Sequence, residues 1–191
     1  THDVAYSGLL ASRRRDLHRV AGEALETLQV ARPDDSYGLL GYHFSRAGEH
    51  VRAVDYLVLA AERALQAYSN QSAAEALELA LGHIDQSGTD ELRRRAPAIV
   101  FRLAFTLYLL GRFRDALDRL ESPLARPDPS EARQVAEHDF WLSYFHTHLG
   151  DSEAAHLHAR RAIDAATVRG DRFTAGRAHY VLTREDFGLC P

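Results

Sequence analysis

Between Pro97 and Pro123 the chain reads PAIVFRLAFTLYLLGRFRDALDRLESP, two apolar-periodic segments with one glycine between them. Val100, Leu103, Ala104, Leu107 and Leu110 recur at steps of three and four, the spacing that gathers side chains on one face of a helix. Gly111 ends that segment, and Phe113, Ala116, Leu117 and Leu120 restart the period at once. Two helices joined by so short a turn run antiparallel, and neither can bury its apolar face without the other. Ala104 and Ala116 suit the contact, because larger side chains would hold the helix axes apart.

A glycine in the turn, an aromatic two residues on and an alanine three beyond that is similar to the tetratricopeptide (TPR) signature, which recurs with a period of about 34 residues. The rest of the chain answers to that template in part. Gly48 is followed by Ala53, Leu57 and Ala60, and Gly150 by Ala155, Ala159 and Ala162. The steps from Gly48 to Gly111 and from Gly111 to Gly150 are unequal, so the repeats are degenerate, with loops of different length. The fold expected is all-α, a TPR-like right-handed α-solenoid of antiparallel helix pairs with about nine helices.

Taken in order, residues 4–28 read as an amphipathic helix, broken near Ala11 or Ser12 if at all. Its stripe is Leu9, Leu10, Leu17, Val20, Ala21, Ala24, Leu25 and Leu28, and Arg13 to Arg15 fall on the solvated side. Pro33 ends the segment, and Asp34 to Ser36 offer a cap for a helix reaching Ala47. The helix from Glu49 to Tyr68 breaks at Ser69-Asn70. Because Leu57, Ala60, Ala61 and Ala64 fit either template, it reads equally as the second member of one pair or the first of the next. Ala73, Leu77 and Ala80 repeat the small, large, small spacing, and Ser87 to Asp90 form a linker. Pro97 either kinks a helix begun near Glu91 or marks its true start. Pro123, Pro127 and Pro129 mark the next connection, with Ser130 or Asp128 as the cap, and Asp171 to Thr183 read as the first helix of a further pair.

Composition narrows the chemistry. All 23 basic residues are arginine, which removes a P-loop lysine, a Schiff base and any lysine base. A net charge of −4 argues against a broad basic face for nucleic acid. No apolar run approaches the roughly 18 residues of a membrane helix. A single Cys190 excludes an internal disulfide framework, and a cytoplasmic setting is the expectation. The chain starts at Thr1 and holds no methionine, which reads as part of a longer protein, and the arginine-only usage points to a GC-rich bacterial genome.

The first 85 or so residues carry a more specific resemblance. His2, Val4, Ala5, Tyr6, Leu9, Leu10, Arg13, Arg14, Leu17 and His18 resemble the segment that follows the ATPase module in bacterial STAND/AAA-type regulators, a family that includes adenylate and guanylate cyclase-like proteins with a C-terminal TPR region. Tyr42-His43, Ala47-Gly48, Ala53-Val54, Tyr56-Leu57, Ala60 and Tyr68 to Gln71 continue it. The resemblance implies that residues 1–33 follow an upstream ATPase module and that 34–191 are TPR-like repeats truncated at the C-terminal end. It imports no chemistry. No Walker A, Walker B or cyclase metal pair is present in these residues.

Aromatic residues recur on the first helices of the later pairs: Phe101, Phe105 and Tyr108, then Phe140, Tyr144 and His148. On a concave helical face such rings suit a bound peptide, and Tyr42 and Arg46 hold the matching positions earlier in the chain; packing in the core is the competing role for each. The eleven histidines show no HExxH or Cys/His ligand spacing, so no metal or cofactor is expected. The runs Arg13 to Arg15, Arg93 to Arg95 and Arg160-Arg161 have acidic residues nearby and read as solvated helix faces. The function expected is non-catalytic: a scaffold presenting a concave surface to a protein, a peptide, another domain of the same chain or a second copy. A small helical hydrolase and a nucleic-acid-binding helical repeat of a transcriptional regulator are the alternatives. Neither has a motif to carry it.

Overall fold

The computed structural model describes residues 11–28 and 36–186. The matches from His2 to Leu10, the cap at Asp34, the boundary between 33 and 34, and Cys190 lie outside the described residues. Those described form nine α-helices and no strand: α1 (Ala11–Leu28), α2 (Tyr37–Ala47), α3 (His50–Gln66), α4 (Asn70–Ser87), α5 (Asp90–Leu109), α6 (Phe113–Glu121), α7 (Ala132–His148), α8 (Ser152–Arg169) and α9 (Arg172–Asp186). A short 3-10 turn, Pro123–Ala125, follows α6. No helix among the described residues is long and apolar enough to cross a membrane. The chain divides into two compact units, 1–92 and 93–191.

Most of the turns share one construction. At Gly48, Gly111, Gly150 and Gly170 the glycine N–H donates to the carbonyl three residues back, and the next N–H donates to the carbonyl five back. That is the Schellman arrangement, which satisfies carbonyls a helix end would otherwise leave bare. It requires a left-handed residue, and these glycines have φ between 68 and 79°. Tyr68 makes the same two bonds between α3 and α4 at φ 57°, with its side chain 91% exposed. A tyrosine there carries steric strain that the glycines do not.

In the first unit α1 packs on α2, α2 on α3 and α3 on α4. The dual role that sequence leaves open for Glu49–Tyr68 thus belongs to a helix with a packed neighbour on either side. Leu40, Phe44, Ala53, Val54, Ala61, Ala73, Leu77, Ala80 and Ile84 are fully buried. Each large apolar side chain so buried contributes roughly 1.5–3 kcal/mol. Phe44 is the hub. Its ring stacks on Tyr56 at 5.6 Å and 16°, and the Arg52 guanidinium lies 4.1 Å from its centroid. Arg52 pairs with Glu26 and, at 3.6 Å, with Glu23, while Tyr56 donates a 2.6 Å hydrogen bond to Glu26 Oε1. Burial, with that hydrogen bond, pushes the Tyr56 phenol up to about 12.

The face α1 turns to its neighbour is not the apolar stripe. His18 and Gly22 are buried, whereas Leu17, Val20 and Leu28 are 44, 54 and 76% exposed. Gly22 sets this orientation, because a Cβ there would stand 2.8 Å from Phe44 Cζ. Only glycine lets the helix backbone lie against the ring.

In the second unit α7 packs on α6 and α8, and α9 on both α8 and α7. The α8 helix gives its core face entirely in alanine, Ala155, Ala159, Ala162 and Ala166, which permits close approach to α7. His158 Nδ1 meets Asp139 Oδ1 at 2.7 Å across that contact. Pro97 is buried inside α5, which runs from Asp90 without a break. The missing N–H leaves the carbonyl of Arg93, an exposed residue that water can reach. Asp128 caps no helix: it accepts from Ser130 N and Oγ at 2.8 and 2.7 Å, and these bonds hold its carboxyl below the usual range. Glu131 occupies the N-cap of α7.

Candidate aromatic groove

Phe105 and Tyr108 stand three residues apart near the end of α5, so both project to one side. Phe140, Trp141 and Tyr144 do the same on α7, and Phe173, Arg177 and Tyr180 follow at helical steps on α9. These side chains, with Arg172 and Gly176, line a groove of about 590 Å³ in the second unit. All of the lining comes from α5, α7 and α9 and none from α6 or α8.

The rings order one another. Tyr108 meets Tyr144 edge-on at 5.5 Å and 73°, Trp141 meets Tyr144 at 5.9 Å and 86°, and Phe105 lies 6.2 Å from Trp141. Edge-to-face pairs of this kind add about 0.5–1.5 kcal/mol beyond area burial and fix the ring planes. Trp141 stacks on Phe145, a fully buried core residue, at 5.7 Å and 22°, so the wall is anchored in the core behind it. Trp141 Nε1 is enclosed without a hydrogen-bond acceptor among the described residues. At the rim, Phe105, Phe173 and Tyr180 are 41, 73 and 59% exposed.

Arg177 supplies the cation. Its guanidinium carbon sits 3.8 Å from the Phe140 centroid, with Trp141 at 5.2 Å and Phe173 at 5.3 Å. Burial disfavours its charged form, and the fields of Glu137, the Tyr144 phenol and Asp171 act against that. A guanidinium stays charged in such surroundings. A neighbouring cleft of about 580 Å³ shares Phe173 and Arg177 and adds Arg133, Arg169, Glu137, Asp171 and Thr174. Asp171 is committed there as the cap of α9, accepting from Thr174 N at 3.1 Å and Thr174 Oγ at 2.8 Å.

Of the residues singled out by sequence, Phe105, Tyr108, Phe140 and Tyr144 come together on this groove. His148 lies behind it, stacked on Phe113 at 4.8 Å and edge-on to Tyr144 at 4.7 Å. Phe101 is 5% exposed and packs beside His138, whose Nε2 donates to the Leu120 carbonyl at 2.9 Å. Tyr42 and Arg46 belong to the first unit. There Arg46 lies 5.6 Å from the Tyr42 ring, which is half exposed and edge-on to His18 and His43. Trp141, Arg172, Phe173, Arg177 and Tyr180 were not singled out, although the steps from Phe173 to Arg177 and Tyr180 are helical and visible in the sequence.

Elsewhere, His146 stacks on His158 at 5.7 Å and 4°, and His146 Nδ1 is 3.3 Å from Asp151. Among the described residues no three His, Cys, Asp or Glu side chains converge as a metal site would need. Comparison of the chain with protein-family models, curated proteins and solved structures found no match in any of the three.

Proposed function

We propose that this chain is a non-catalytic interaction scaffold, a TPR-like right-handed array of antiparallel helix pairs whose groove seats a segment of a partner polypeptide. The observation that carries this reading is the origin of the lining, which α5, α7 and α9 supply while α6 and α8 are passed over. Stacked helix pairs present their first helices to one side, and that is what makes a continuous inner surface. Packing of α9 on α7 as well as on α8 supports the same arrangement. The exposed rings at the rim suit a chain laid along the groove, since aromatic side chains are the commonest energetic anchors of protein interfaces. The resemblance of the first 85 or so residues to the region after the ATPase module of bacterial STAND/AAA-type regulators supports reading the scaffold as the regulatory part of a larger signalling protein. Engagement of the groove would then bias a nucleotide switch upstream.

The test uses a partner captured on the purified chain, identified, purified and titrated against the native chain and a Phe105→Ala/Tyr180→Ala variant. Phe105 and Tyr180 are 41 and 59% exposed and stand at the rim rather than in the core, so the fold should persist. Loss of two anchoring rings should weaken binding by at least about tenfold. Unchanged affinity with helix content intact would remove the groove from the interaction, and capture of a second copy would make the surface a self-association site.

A further inference from the structure

We propose that the occupant of the groove is an acidic segment with an aromatic or branched aliphatic anchor. Its apolar side chain packs among Phe105, Tyr108, Trp141 and Tyr144, and its carboxylate meets Arg177 and Arg172. This rests on the reading of the groove as a peptide seat and adds the chemistry of the peptide.

The groove has two cations and no carboxylate in its lining, on a chain whose net charge is −4. Arg177 is held in place by rings rather than by an anion. It makes no ion pair with a described residue, and Phe140, Trp141 and Phe173 surround its guanidinium. A guanidinium positioned by stacking keeps its N–H edge available for the planar, two-pronged contact that carboxylates accept. Of the two carboxylates acting on it through space, Asp171 is already taken up by Thr174, and Glu137 is not within ion-pair distance. An incoming carboxylate would therefore complete a half-buried cation that no described residue pairs with.

The adjoining cleft decides between an acidic peptide and a nucleic acid. It carries Arg133, Arg169 and Arg177, but Glu137 and Asp171 stand among them. A phosphate chain puts a negative charge at every nucleotide and would meet those acids, whereas a peptide with one or two spaced carboxylates need not. Aromatic rings alone would accept stacked bases. The interleaved acids are what favour the peptide.

The experiment is a selection of displayed short random peptides on the full chain, followed by fluorescence anisotropy of the winners. Asp or Glu beside Phe, Leu or Trp should be enriched. Affinity should fall about tenfold or more in Arg177→Gln and measurably in Arg172→Gln, with Arg177→Lys recovering part of it. Arg172 is exposed, so its variant reads the charge even if Arg177→Gln disturbs packing. Neutral or basic winners that ignore both arginines but are lost with Tyr144→Ala would overturn the acidic chemistry and leave the peptide seat standing. No enrichment above the Tyr144→Ala chain would overturn both. Displacement of the winners by a single-stranded oligouridylate, with steep loss of affinity in salt, would assign the groove to nucleic acid instead.

Discussion

Two glycines inside helices, Gly22 in α1 and Gly82 in α4, separate the effect of backbone propensity from that of packing. Alanine at either position gains about 1 kcal/mol of helix propensity. At Gly82 a Cβ would meet nothing within 4 Å, so the gain should stand alone. At Gly22 it would stand 2.8, 2.9 and 3.3 Å from Cζ, Cε1 and Cδ1 of Phe44. Carbon atoms pack at roughly 3.5–4.0 Å, so ring or helix must retreat by the better part of an ångström. The ring has little room, being fully buried between Tyr56 and Arg52. Overpacking of this kind costs about 1–3 kcal/mol. Gly22→Ala is therefore expected to be neutral to about 2 kcal/mol destabilising, and Gly82→Ala about 1 kcal/mol stabilising, read from denaturant midpoints by far-ultraviolet circular dichroism. Phe44→Leu, costly by itself, should cost less in the Gly22→Ala background, because the smaller side chain relieves the contact. Equal stabilisation by the two alanines would refute the close approach of α1 to Phe44.

Two further outcomes follow from the first unit and the turns. Gly111→Ala adds a Cβ with nothing within 4 Å, so its cost, roughly 1–2 kcal/mol, should come from the positive φ alone, and Tyr68→Gly should relieve a comparable strain; equal and negligible shifts in both would count against the left-handed turns. Stability should also fall on acidification. His18 Nδ1 lies 3.1 Å from His43 Nδ1 and close to Arg46, and His83 bonds His50 Nδ1 at 3.0 Å and Ser45 Oγ at 2.8 Å. Burial first, and then His43 and Arg46 beside His18 and His50 beside His83, lowers both below the ordinary 6.5. The unfolded chain therefore takes up these protons at a higher pH than the native one. Stability should be full above about 6.5 and decline as the pH drops from there through the lowered values. A His18→Gln/His83→Gln chain should show a flatter profile, and a native profile flat through that window would contradict the lowering at His18 and His83.

Much of the helical pattern was legible because it is local. Gly48, Gly111 and Gly150 mark turns that need a left-handed residue, and the apolar steps from Val100 to Leu107 and from Phe113 to Leu120 fix the faces of α5 and α6. Four of the eight residues proposed for the site, Phe105, Tyr108, Phe140 and Tyr144, share the groove for the same reason. What was not legible depends on partners remote in sequence. The buried edge of α1 follows Gly22 and Phe44 rather than the apolar count, which leaves Leu17, Val20 and Leu28 in solvent. Phe101 has the same spacing as its neighbours yet is buried, because it lies a turn earlier on the same face of α5, where His138 packs beside it. Tyr68 fills a glycine's turn position, which composition gives no means of anticipating. Arg177 reads as a surface cation until α7 brings Phe140 beneath it.

The emission of Trp141, the only tryptophan in the chain, tests the scaffold reading most directly, since its ring is part of the groove wall. Titration with a peptide selected on the chain should change that emission saturably, at the concentration where anisotropy reports binding, and Phe105→Ala with Tyr180→Ala should weaken both signals together. Binding that leaves Trp141 emission unchanged, or that survives loss of the two rim rings, would place the interaction elsewhere on the molecule.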